Sequence, residues 1–287
     1  MSEKNLAIAE MLLCATLWSI AGLLIKMIDA SPFVIAGWRS AVAAAVTFVF
    51  VKLYGVPLHF TKRAVLNGCF MSLTFFLFVT ANKLTTAANA IVLQFTAPIF
   101  LMVYSTLIFR QRFRKGDILA AVFTLAGIAL FFFDQLAPGY MLGNFVAIFA
   151  GASMAGMYLF VGSGEPSDRF SGTLLGHLFT AVIGIPFMLF TETHITGTAV
   201  ASVVVLGVVQ LGLPYILFVL STSDCPPLAC SLLGAVEPLL NPIWVALCGG
   251  EVPGVFALVG AVIVIVTVTV WCIWKDRHPT ENETAAG

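Results

Sequence analysis

The chain has 287 residues, 60% hydrophobic and only 10% charged, with a mean hydropathy of +1.03 and a formal net charge of zero. Soluble domains carry roughly a quarter charged residues, so this composition is that of an integral membrane protein with almost no chain left for a soluble domain. The balanced charge argues against a nucleic-acid partner, because phosphate binding depends on clustered cations.

A helix crosses the hydrocarbon core in about 20 apolar residues. Ten apolar runs of that size follow one another, near 6–28, 32–53, 64–82, 86–109, 117–134, 140–162, 170–191, 198–220, 226–248 and 253–274. They predict an all-α membrane protein with ten transmembrane helices; a membrane β-barrel would show strands alternating in polarity over about ten positions. The first run continues through Leu24 without a clear small-x-small cleavage pattern, so it reads as the first helix and not as a signal peptide.

Positive charges orient the bundle. With the N-terminus inside, eleven Lys and Arg residues fall on the cytoplasmic side, among them Arg110, Arg112, Arg114 and Lys115 of RQRFRK, against only Lys26 and Lys83 outside. Both termini then face the cytoplasm, and Arg39 is left within the membrane. The six cysteines, in or beside apolar runs and without ligand-like spacing to His, read as packing residues, neither disulfides nor metal ligands.

An internal repeat organises the chain. Placing Pro98 over Pro238, 140 residues apart, aligns the fourth run with the ninth. Each half holds five spans, so the second enters the membrane in the opposite sense, giving inverted five-helix repeats at 1–137 and 138–287, joined near DQLAPG, around a central cavity.

The order and spacing of LWSIAGLLIK, AGWRS, TTAANAIVLQFTAPIF and AVEPLLNPIW followed by GGE resemble the drug/metabolite transporter superfamily, in its EamA-type branch, over essentially the whole chain. The resemblance implies a helix bundle around a central cavity, with the fifth and tenth helices peripheral. It also implies export of small metabolites across a bacterial inner (plasma) membrane. The first half departs from the family's usual Gly-Glu pair, carrying Arg110 and Gln111 where the second half has Gly250 and Glu251.

Glu237 is the leading functional residue. It lies eleven residues into the ninth run, roughly 16 Å along the axis of a core about 30 Å thick, and intramembrane charges usually serve a pathway. Three roles stay open: proton carrier, ligand for a substrate ammonium, or structural partner of Arg39. Arg39, early in the second run, offers a planar fork of donors suited to a carboxylate or phosphate. Together the two would hold a zwitterion or neutralise each other.

Asn89 and Gln94 are amides in an apolar run, suited either to interhelical bonding or to a polar substrate. Asn241, four residues after Glu237, shares its helical face. Trp18 and Tyr158 occupy comparable parts of the first and sixth runs and are candidate aromatic walls. His177 is a candidate for proton coupling beside Glu237, against the plainer reading of a packed histidine. GASMAG, with Gly151 and Gly156, favours close helix packing.

These features together predict a secondary transporter that exports amino acids or related amphipathic compounds by alternating access. Its partners are a small-molecule substrate, membrane lipids and protons, it needs no cofactor, and it works as a monomer or homodimer. The alternatives are a flippase for a lipid-linked substrate and an intramembrane enzyme; no cluster of nucleophile, base or metal ligands supports the latter.

Overall fold

The computed structural model describes residues 3–26, 28–133, 139–240, 244 and 254–277. Among them the chain is helical, with no strand. The helices are α1 (Glu3–Trp18), α2 (Ala21–Lys26), α3 (Pro32–Leu53), α4 (Lys62–Leu84), α5 (Ala87–Gln94), α6 (Ala97–Phe109), α7 (Lys115–Phe131), α8 (Met141–Gly162), α9 (Pro166–Gly184), α10 (Gly197–Val205), α11 (Leu213–Ser221), α12 (Pro227–Leu233) and α13 (Val255–Arg277). A 3₁₀ turn (Ile185–Leu189) extends α9, and a π-helical segment (Leu206–Gly212) joins α10 to α11.

Helix starts follow local chemistry. Ser31, Thr61, Thr86 and Thr196 cap α3, α4, α5 and α10 by accepting from backbone N–H groups, and Pro32, Pro166 and Pro227 occupy first turns, where a missing N–H costs nothing.

Among the described residues, seven helical segments are long and apolar enough to cross a membrane: Pro32–Leu53, Lys62–Leu84, Asn89–Phe109, Met141–Gly162, Pro166–Leu189, Gly197–Ser221 and Val255–Lys275. The remaining predicted runs are helical but shorter. The first is interrupted at 19–20, between α1 and α2, the fifth is the 17-residue α7, and the ninth is the helix Pro227–Leu240, after which Trp244 alone of that run is described. The predicted junction between halves, DQLAPG, falls almost wholly outside the described residues.

Backbone proximity sets the core. A Cβ at Gly37 would lie 2.6 Å from the Ile185 nitrogen, and one at Gly184 would lie 2.8 Å from the Gly37 Cα, so α3 and α9 touch main chain to main chain. Gly151 abuts the Gln94 carbonyl and Gly156 the Phe70 ring, which seats α8 on α5 and α4 as the GASMAG spacing predicts. At the edge, α13 packs on α7, where Trp271 Nε1 donates to Asp117 Oδ1 at 3.0 Å; Val259, Val262, Val266 and Val270 point away.

The two ends of the bundle differ. At one, Arg63 donates to the Ser163 carbonyl, Arg169 reaches Ser223, and the Arg114 guanidinium lies over Trp274. At the other, Lys83 donates to the Ile28 carbonyl and His194 N–H to that of Asp29.

Because the Gly37 contact is with backbone, which cannot rotate away, Gly37→Leu is expected to lower stability by about 1–3 kcal/mol, the usual cost of overpacking. Thermal unfolding of the detergent-purified protein measures it, and an unchanged midpoint would contradict the close approach.

Candidate functional site

Backbone irregularities converge on one cavity. The α1–α2 interruption follows Trp18, and the α5–α6 interruption at 95–96 follows Gln94. The ninth run is interrupted at 234–235, two residues before Glu237. Gln210 and Leu211 lie in the π-helical segment. All five of these side chains line the cavity, with Arg39 of α3, Thr74, Phe75 and Phe78 of α4, Met154 of α8 and Tyr215 of α11. At membrane depth such irregular backbone is tolerated where it faces protein or a cavity. Here it is tightened by i to i+3 bonds: Thr96 N–H to the Leu93 carbonyl at 3.2 Å, and Glu237 N–H to that of Gly234 at 2.9 Å.

Arg39 is 1% exposed. Its Nη1 donates to Gln210 Oε1 at 3.2 Å, its guanidinium lies 5.7 Å from the centre of the Phe75 ring, and its Nε has no partner among the described residues. The π segment makes this pairing: a Cβ at Gly207 would meet Val42 and come within 2.9 Å of the Arg39 carbonyl, so the segment rides directly on α3. Such single-turn π geometry recurs at functional sites.

Glu237 borders the same cavity, and no side-chain hydrogen bond or ion pair engages its carboxylate among the described residues. In particular no ion pair joins it to Arg39. Gln94 Nε2 contacts the Met154 sulfur at 3.2 Å, a weak acceptor. Trp18 packs 5.2 Å from the Tyr215 ring and 5.7 Å from that of Phe218.

Of the residues singled out from sequence, Trp18, Arg39, Gln94 and Glu237 therefore share one cavity. Asn89 stands apart, donating through Nδ2 to Asn144 Oδ1 at 3.2 Å in an α5–α8 contact that also takes in Thr85. Tyr158 is buried behind Phe218, with its ring 5.1 Å away and its hydroxyl beside Gly234. His177 sits one layer behind the wall, stacked on Phe75 and edge-on to Tyr215, each at 5.5 Å. Asn241, Pro242, Gly250 and Glu251 lie outside the described residues. Sequence reasoning missed Gln210, although a lone amide in an apolar run is the signal that marked Gln94.

The cavity encloses about 30 Å³, room for a water or two, whereas small-molecule sites run to roughly 300–1,000 Å³. A substrate therefore enters only if the lining helices move.

Residues 5–133 match the EamA-like transporter family. A solved structure described only as "Crystal structure of protein" superposes with a TM-score of 0.80 at 18% identity, covering 94% of this chain and 98% of its own. That likeness extends the shared fold across the second half. Comparison with curated proteins gives no match.

Gln210→Leu removes the one acceptor that Arg39 has among the described residues. The expected cost is about 1.5–3 kcal/mol, the range for a hydrogen bond to a charged group, read as a lowered unfolding midpoint without ligand. Full stability would show that the pair is dispensable.

Proposed function

We propose that this chain, whose residues 5–133 belong to the EamA-like transporter family and so to the drug/metabolite transporter superfamily, is a secondary transporter that exports amino acids or related amphipathic metabolites by alternating access. The family match over residues 5–133 supports a multi-pass membrane transporter of small molecules. The observation that carries the narrower reading is the separation of charges. The buried Arg39 guanidinium and the Glu237 carboxylate face one cavity, and among the described residues no ion pair joins them. Burying an unpaired charge is costly, and a zwitterion would neutralise both, its carboxylate on Arg39 and its ammonium on Glu237. Trp18, Phe75, Phe78 and Tyr215 supply apolar walls for an amphipathic body, and Gln94 an uncharged polar contact.

Ten crossings in two inverted five-helix repeats, 1–137 and 138–287, account for the paired interruptions at 95–96 and 234–235, which lie 139 residues apart. Discontinuous helices at the interface of such repeats are where transporters bind substrate, and the same interruptions let one half-helix swing while the other stays packed. The basic end of the bundle faces the cytoplasm of a bacterial inner membrane under the positive-inside rule, with both termini on that side. Glu237, once free of substrate ammonium, binds a coupling proton, and His177 behind the wall assists. The working unit is a monomer or homodimer.

The test is a thermal-shift screen of the purified chain against an amino acid, its decarboxylated amine and its deaminated acid. A ligand at a hundredfold its Kd stabilises by about 2.7 kcal/mol. The amino acid is expected to stabilise most; Glu237→Gln should lose the response to amine and amino acid, and Arg39→Met the response to acid and amino acid, with assembly preserved. Normal flux with unchanged pH dependence in Glu237→Gln would sink the reading, and preference for a prenyl-tailed head group would replace it with lipid flipping.

A further inference from the structure

A second polar feature runs beside the cavity. Gly37 meets Gly184, and Phe50 stacks on Phe170 with ring centres 5.5 Å apart. This fixes α3 antiparallel to α9, with Thr47 level with Thr173, Ala43 with His177 and Ser40 with Thr180. A Cβ at Gly172 would lie 2.5 Å from Asn67 Nδ2, which brings the Asn67 amide of α4 to the Thr173 level. Ser40, Thr47, Thr173 and His177 are each 0% exposed, and Asn67 is 1% exposed.

Among the described residues none of these five has a hydrogen-bond partner for its side chain: the three hydroxyls, both atoms of the amide and both ring nitrogens are unsatisfied. Several other hydroxyls of this chain solve the problem locally, although Thr124, Tyr158 and Ser163 do not. Thr16, Thr74, Thr106, Ser171 and Thr180 all donate to the carbonyl four residues back. Buried polar groups without partners cost about 1–3 kcal/mol each, and polar sites of this kind are where proteins hold internal water, each molecule bonding about three groups.

We propose that the α3–α4–α9 seam binds a file of ordered waters that conducts protons between the basic end of the bundle and His177, apart from the route of the substrate. It rests on the proton-coupling part of the function proposed above. The mouth of the file is polar: the exposed His59 donates its backbone N–H to Ser171 Oγ at 2.8 Å, and its ring lies 3.1 Å from Ser167 Oγ. Asn67, Thr47 and Thr173 form the next level, and His177 the inner terminus.

Around His177 the titratable or charged groups are Tyr215 on α11 and Arg39 on α3; α4 presents Phe75. A proton arriving at one ring nitrogen displaces the proton on the other, which passes to water in the cavity and on to the Glu237 carboxylate; the imidazole ends neutral in its other tautomer, and a ring flip resets it. Phe75 and Tyr215 separate it from the cavity by one ring, and both line the cavity that holds Glu237.

Two measurements on the full chain test this. In X-ray pulse hydroxyl labelling, bound water oxidises the side chains beside it. Met71, which is 0% exposed and packs against Gly176 of α9, is expected to label at least about tenfold faster than Met157, equally buried on α8. His177 is expected to label with it. Met71 labelling as slowly as Met157 would show a dry seam and overturn the proposal.

In proteoliposomes carrying a pH dye, the double variant Thr47→Val with Thr173→Val, which keeps the shape of both side chains, should reduce substrate-driven proton movement about tenfold. Substrate counterflow should stay within about twofold. His177→Phe, which retains a ring to stack, should reproduce that split. Full coupling in both variants would overturn the proton role. A wild type that counterflows substrate without moving protons would defeat the coupling reading and this role together, and leave the substrate assignment standing.

Discussion

The burial of the Arg39 guanidinium governs the rest of the structure. A permanent positive charge that is 1% exposed inside an apolar bundle is expensive, and its surroundings answer only part of the cost. Gln210 supplies a neutral acceptor and Phe75 an aromatic face, but among the described residues no acid approaches within ion-pair distance. The bundle therefore holds a standing electrostatic deficit at one point. Much of the nearby architecture follows from keeping that point fixed: the π segment that carries Gln210, the glycine that lets this segment ride on α3, and the ring of Phe75 beneath it.

Irregular backbone is concentrated where that deficit lies. In lipid a helix cannot be interrupted on its exposed face, because the freed carbonyls and N–H groups would have no partner. The interruptions after Trp18, after Gln94 and before Glu237 all open toward the same interior space, as does the π segment. The regular helices do the opposite work. On α13, valines face outward while Trp271 ties its inner face to Asp117 of α7, and neither helix contributes to the cavity wall.

Composition and run length were sufficient to read an all-helical membrane protein, because lipid imposes one long apolar signature on any crossing helix. The motifs around Arg39, Gln94 and Glu237 were legible for the complementary reason: a polar residue is conspicuous in an apolar run. Other features left no such mark. A π insertion has no distinctive composition, so Gln210 looked like part of a regular helix, and the interruption after Trp18 contains no proline or glycine. Asn89 and Gln94 carried the same signal in sequence, yet one joins α5 to α8 and the other faces the cavity. That difference arises because Asn144 happens to lie opposite Asn89, a tertiary fact that no local pattern contains. Tyr158 and His177 are buried polar rings that do not line the cavity: Tyr158 packs against Phe218, and His177 lies behind Phe75 and Tyr215.

The bare contact between Gly37 and Gly184 has a mechanical consequence. At this level the two helices touch main chain to main chain, which makes the contact a natural fulcrum, while the Phe50–Phe170 ring stack ties them together further along α3. At about 1.5 Å per residue, Arg39 stands only about 3 Å from that fulcrum along α3, while Leu53 stands about 24 Å away. Tilting α3 about Gly37 would sweep its far end through roughly eight times the arc travelled by Arg39. Any such tilt would shear the Phe50–Phe170 stack while leaving the charged anchor almost still.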